Sequence, residues 1–135
     1  MIVADANLIT QFAIHDVGSD LADAVCEADP VWVAPMLWRS EVRNAALKYV
    51  RHVGMSLDAA LLAMHTAEEV VSRREYTVNT RKVLELATQS GCSAYDCEYV
   101  ALALDMNVNL VTSDKQVLRA FPKLALTPEN FLKQK

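Results

Sequence analysis

The chain has 135 residues, 53% of them apolar, and carries 17 acids against 13 bases for a formal net charge of −4. This is the length of one domain, 1–135, with apolar material for one core, and its charge argues against a general electrostatic grip on nucleic acid while leaving room for a local basic groove. Cys26, Cys92 and Cys97 form no CxxC pair, no basic region precedes the first apolar run, and no apolar stretch reaches spanning length; a soluble, unexported cytoplasmic protein without disulfide framework or thiolate zinc is expected.

Ile2-Val3-Ala4 is a short apolar run followed at once by Asp5, which reads as a buried strand presenting an acid at its tip. Helices are expected from Ala6 to about Ile14 and from Ser19 to about Glu27, closed by Asp29-Pro30. Val31 to Ala34 reads as a second buried strand. A long helix then runs from about Met36 to His52, with Val42, Ala46, Tyr49 and Val53 on one stripe and Leu37, Glu41, Ala45 and Lys48 on its neighbour.

Gly54 ends that helix, and Ser56 caps the next, which buries Leu57, Ala60, Leu61, Met64, Ala67 and Val71. Glu75 to Val78 is a weaker strand. Asn79 or Thr80 caps a helix to Gly91, Ser93 opens one from Ala94 to Met106, and Val108 to Thr112 reads as another strand. Asp114 can cap a short helix, Leu124 to Thr127 is a last edge strand, and Pro128 starts a closing helix through Leu132. Strands alternating with helices imply an α/β fold with a parallel sheet covered on both faces.

Taken singly, Asp5 and Asp114 are helix N-caps, Ser93 to Asp96 is a capping box, and Glu41 is a surface ion pair with Lys48 or Arg39. Taken together they fall near the carboxyl edge of the sheet, where ligands of open α/β sheets bind. Crowded carboxylates repel and need cations, and oxygen ligands with no His or Cys beside them favour Mg²⁺ or Mn²⁺ over zinc. Metal-assisted phosphodiester hydrolysis is the natural chemistry of such a group.

With these pieces the chain resembles PIN-domain ribonucleases, and in particular VapC-type toxins of type II toxin–antitoxin modules. The carriers are Ile2 to Asn7, Glu41 within Trp38-Arg39-Ser40-Glu41-Val42, the run Ser93 to Ala103, and Val111-Thr112-Ser113-Asp114. The resemblance implies a PIN-like three-layer α/β/α fold with a central parallel sheet of four to five strands. It also implies Mg²⁺- or Mn²⁺-dependent endonucleolytic cleavage of RNA to a 5′-phosphate and a 3′-hydroxyl. Asp5, Glu41, Asp96 and Asp114 match the acidic quartet that binds metal and catalyses, with Asn7 and Thr112 supporting it by hydrogen bonds.

Two positions depart from the pattern: Ala6 stands where Thr or Ser is frequent, and Val117 where some members carry a further acid. A catalytically silent PIN module acting as a binding or scaffold protein is the alternative they permit. A phosphoacceptor or phosphatase fits less well, because Asn7 stands where a phosphatase has a second Asp. Arg39 and Arg43 are expected to hold RNA phosphates, with Lys115 a weaker candidate, since a negative site must otherwise repel its substrate. Trp32 is expected in the core. The resemblance further implies a homodimer and a cognate VapB-type antitoxin lying in a groove near the helix that carries Trp38 and Tyr49. His15, His52 and His65 lie outside the acidic group.

Overall fold

All residues, Met1–Lys135, are described by a computed structural model. The elements in order are β1 (Ile2–Ala4), α1 (Ala6–Ala13), α2 (Ser19–Ala28), β2 (Trp32–Pro35), α3 (Trp38–His52), α4 (Leu57–Val71), β3 (Glu75–Tyr76), α5 (Thr80–Ser90), α6 (Ala94–Met106), β4 (Leu110–Val111), α7 (Lys115–Ala120), β5 (Ala125–Leu126) and α8 (Pro128–Lys133). The five strands form one sheet in the order β3-β2-β1-β4-β5, and every pairing is parallel. No helix is long and apolar enough to cross a membrane.

The sheet divides the apolar interior in two, where composition alone suggested one core. Because side chains alternate across a strand, Ile2, Ala4, Trp32, Ala34 and Val111 face a cluster shared with α1, α2, α3, α4 and α8. Val3, Val33, Leu110 and Ala125 face the opposite cluster, built with α5, α6 and α7. Three layers result. Strands buried on both faces read as continuous apolar runs, which is why β1 and β2 stand out in the sequence.

Capping chemistry sets most helix starts. The side chains of Ser56, Asn79, Ser93 and Thr127 each accept from a backbone N–H three residues on, at 2.9–3.1 Å. The largest boundary shifts come at the ends of strands and of α3: the run 108–112 pairs only at Leu110–Val111, and α3 begins at Trp38 after a turn over Met36-Leu37. Pro35 belongs to β2 as its last residue. It needs no N–H there, because the sheet's next link is the Met36 N–H donating to Tyr76 O at 3.1 Å.

β3 is short and at the sheet's edge, so side chains hold it in place. The Trp38 indole N–H donates to Glu75 Oε2 at 2.7 Å, and the Arg39 guanidinium grips both Glu75 oxygens at 2.9 Å. Arg39 also pairs with Glu68 and lies 5.2 Å over the Trp38 ring. Arg74, just before β3, donates to the backbone oxygens of Trp32 and Val70, locking a turn in which Ser72 and Arg73 both have positive φ.

The Arg39 hydrogen bonds hold the Glu75 carboxyl below its ordinary pKa, so its stabilisation is present above the unfolded value of about 4.5 and fades as pH falls through the lower folded value. Glu75→Gln is expected to cost about 1–3 kcal/mol in urea unfolding at pH 7. The cost should shrink in acid; an equal cost at both pH values would refute the pairing.

Candidate active site

Parallel strands put all their carboxyl ends on one edge, and the order β3-β2-β1-β4-β5 reverses direction between β1 and β4. Asp5 leaves β1 and Asp114 follows β4, so they flank that switch point, where a crevice opens between the connections. Glu41 stands on the first turn of α3, after β2, and Asp96 on the first turn of α6. As the helix that leads into β4, α6 presents its N-terminus at the same edge. Residues far apart in sequence therefore share one cleft of about 420 Å³, lined by Asp5, Asn7, Glu41, Asp96, Thr112 and Asp114 among others.

The cap reading and the site reading of these acids are compatible. Asp5 Oδ1 accepts from the Leu8 N–H at 2.8 Å, while its Oδ2 takes the Thr112 hydroxyl at 2.5 Å. Thr112 Oγ1 in turn accepts from the Asp114 N–H at 3.0 Å, and Asp114 Oδ1 accepts from the Val117 N–H at 2.9 Å. One chain of hydrogen bonds thus fixes both acids at the switch point. The hydroxyl of Tyr99, buried on α6, donates to Glu41 Oε1 at 2.6 Å. Ser93 holds the Asp96 carboxyl below what burial alone would give.

None of these acids forms an ion pair. Burial pushes the Asp5 carboxyl up to about 6 against the hydrogen bonds from Thr112 and Leu8, with Glu41 and Asp114 raising it further. The residue keeps a face open to the cleft while protein surrounds its carboxyl group. Burial is also the leading cause that raises Glu41 and Asp96, and Asp96 and Asp114 add to it through their charges. In these rotamers no three carboxyl groups converge tightly enough to ligate an ion. Asp96 is half-buried and Asp114 exposed, both line the cleft, and their unneutralised like charges repel. An all-oxygen donor set that is desolvated and short of positive charge fits a hard divalent cation.

The expected phosphate-binding residues lie elsewhere. Arg39 is occupied by Glu75 and Glu68, and Arg43 borders a different groove, between α3 and α4. The cation that does line the cleft is Lys48, with Asn44, Tyr99 and Ser113 as further polar groups. Lys48 and Glu41 share a helix stripe legible in the sequence; the Tyr99 contact spans 58 residues and leaves no local signal. Trp38 is fully buried, so it offers no surface to a partner, and Trp32 is fully buried as expected. Ala6 and Val117 line the cleft without adding a ligand.

A carboxylate whose folded pKa is raised weakens the fold as it ionises, here between about 3.8 and about 6. Asp5→Asn keeps the cap and removes the charge. Without added metal, the variant is expected to gain melting temperature relative to wild type as pH rises through that window, then hold the gain. A difference independent of pH would contradict the desolvation of Asp5.

No family model and no curated protein matches the sequence. Among solved structures, the chain is similar to the crystal structure of PAE2754 from Pyrobaculum aerophilum. The TM-score is 0.73 at 26% identity, over 99% of this chain and 97% of that one. The likeness takes in the whole chain, and the fold, with its five-stranded all-parallel sheet flanked by helices, is PIN-like.

Proposed function

We propose that this chain is a Mg²⁺- or Mn²⁺-dependent endoribonuclease acting as the toxin of a VapBC-type module. The observation that carries the reading is the meeting of Asp5, Glu41, Asp96 and Asp114, from four separate segments, in one cleft at the switch point of a PIN-like sheet. Asp5, Glu41, Asp96 and Asp114 are the groups that would hold the cation. When bound, a divalent ion there supplies Lewis-acid polarisation of the phosphodiester and lowers the pKa of water.

The chain's own residues do the rest. Thr112 and the Leu8 N–H orient both oxygens of Asp5 and favour its ionised form against the burial that raises its pKa. Tyr99 fixes the rotamer of Glu41 across the cleft. Lys48 offers the positive charge that draws a phosphate into an acidic crevice, and Asn7, Asn44 and Ser113 line the same space with groups that can donate to phosphate or ribose oxygens. In hydrolysis, water oxygen bonds to phosphorus, the P–O3′ bond breaks, and a proton passes to the departing 3′-oxygen, leaving a 5′-phosphate.

Restraint by an antitoxin is supported by the groove between α3 and α4. It is lined by Ala46, Leu47, Val50, Leu57, Ala60, Leu61 and Met64, with Arg43 at its rim. Leu57 and Leu61 are among its exposed apolar side chains. An amphipathic helix bearing an acid opposite Arg43 fits that surface.

The test is cleavage of single-stranded RNA by purified, antitoxin-free protein with Mn²⁺ or Mg²⁺. Activity is expected to vanish in EDTA and to fall at least ~100-fold in Asp5→Asn, the scale of losing a main electrostatic element of a site. Lys48→Ala is expected to weaken RNA binding and to lower the salt dependence by about one counterion. Absence of cleavage with both metals would leave a silent binding module in place of the enzyme.

A further inference from the structure

A second concavity, of about 380 Å³, lies beside the acidic cleft. Met36 follows β2, and Tyr76, Thr77 and Val78 close or follow β3, so it sits on the same carboxyl edge of the sheet. The acidic cleft lies at β1 and β4, and the two are roughly 10 Å apart, two strand spacings. The ridge between them is the first turn of α6. Asp96 lines the cleft, while Ala94 and Glu98 line the second groove. Residues two apart point to opposite sides of a helix, which explains the split.

The contents of this groove are unusual for a surface. Tyr76 is 39% exposed, Met36 49% and Leu84 55%, and Tyr95, on the ridge itself, is 63% exposed. Glu98 is half-buried, and no hydrogen-bond donor or cation of the chain meets it; its charged neighbour is Glu41. An apolar, partly aromatic wall with one unpartnered acceptor at its end matches an unstacked nucleobase. The base would lay its face on Tyr76 and Met36 and turn its donor edge to the carboxylate.

Resting on the nuclease reading above, we propose that this groove seats one nucleobase of a single-stranded RNA flanking the scissile phosphate, with Glu98 selecting the base. A carboxylate accepts from N–H groups and has nothing to give. Guanine places two adjacent donors, N1–H and the N2 amine, on one edge and fills both oxygens. Cytosine and adenine offer a single amine and uracil a single N3–H. Guanine is therefore the preferred occupant, and the strand runs from the cleft over the α6 ridge into the groove.

The experiment is cleavage of a randomised RNA pool, with cut sites sequenced, alongside binding of short single-stranded oligoribonucleotides to Asp5→Asn protein in EDTA. Wild type is expected to prefer guanine at one position beside the cut. Glu98→Gln should flatten that preference while keeping Mn²⁺ affinity. Tyr76→Ala should weaken oligonucleotide binding about tenfold, the scale of one lost stacking contact, and Tyr76→Phe should restore it. If the pool is cut with no preference beside the cut, or Tyr76→Ala binds as wild type does, the base seat is wrong and the nuclease reading stands. If Tyr76→Ala instead converts a dimer into monomers by light scattering, the groove belongs to a second copy. Loss of Mn²⁺ affinity in Glu98→Gln would make Glu98 a fifth cation ligand, and no cleavage of any pool would remove the premise.

Discussion

A carboxylate at the end of a fully buried strand has given up most of its water, and the site is arranged around what replaces it. Asp5 is held by the α1 N-terminus on one oxygen and by Thr112 on the other. The second bond joins residues 107 apart and ties the exits of β1 and β4 together at the point where the sheet reverses. From there the Thr112 hydroxyl reaches on to the backbone of Asp114. The same few hydrogen bonds therefore span the sheet's central crevice and orient Asp5 and Asp114.

Those bonds do not fully compensate for the burial. Asp5 remains raised to about 6, with Glu41 and Asp96 also shifted upward by burial and no ion pair to relieve any of them. Stability is given up locally for a constellation short of positive charge. The rest of the molecule offsets that strain by ordinary means: two apolar layers on a parallel sheet, side-chain caps, and the Trp38–Arg39–Glu75 grip on the edge strand.

Much of this was legible in the sequence, for local reasons. Ile2-Val3-Ala4 and Trp32-Val33-Ala34 are buried on both faces and read as strands, Ser56, Asn79 and Ser93 announce helices through their own cap chemistry, and Pro128 marks the start of the last helix, although its cap, Thr127, reads as the end of a strand. Asp5, Glu41, Asp96 and Asp114 could be grouped because strand ends of a parallel sheet share an edge. What escaped depends on distant partners. Arg39 looked like a phosphate ligand because its partner Glu75 is 36 residues away; Arg43 lies on the α3–α4 groove; Tyr99 gave no hint that its hydroxyl holds Glu41. The brevity of β4 and β5 was hidden too, since apolar residues beyond the paired stretch serve helix packing.

The central claim is that Asp5, Glu41, Asp96 and Asp114 act as a single cation site. Calorimetric titration with Mn²⁺ tests it most directly, on wild type and on the four single Asp→Asn or Glu→Gln variants. Saturable binding by the wild type, abolished in Asp5→Asn and weakened in each of the others, is the predicted result. No binding by the wild type, or equal binding by wild type and Asp5→Asn, would contradict it.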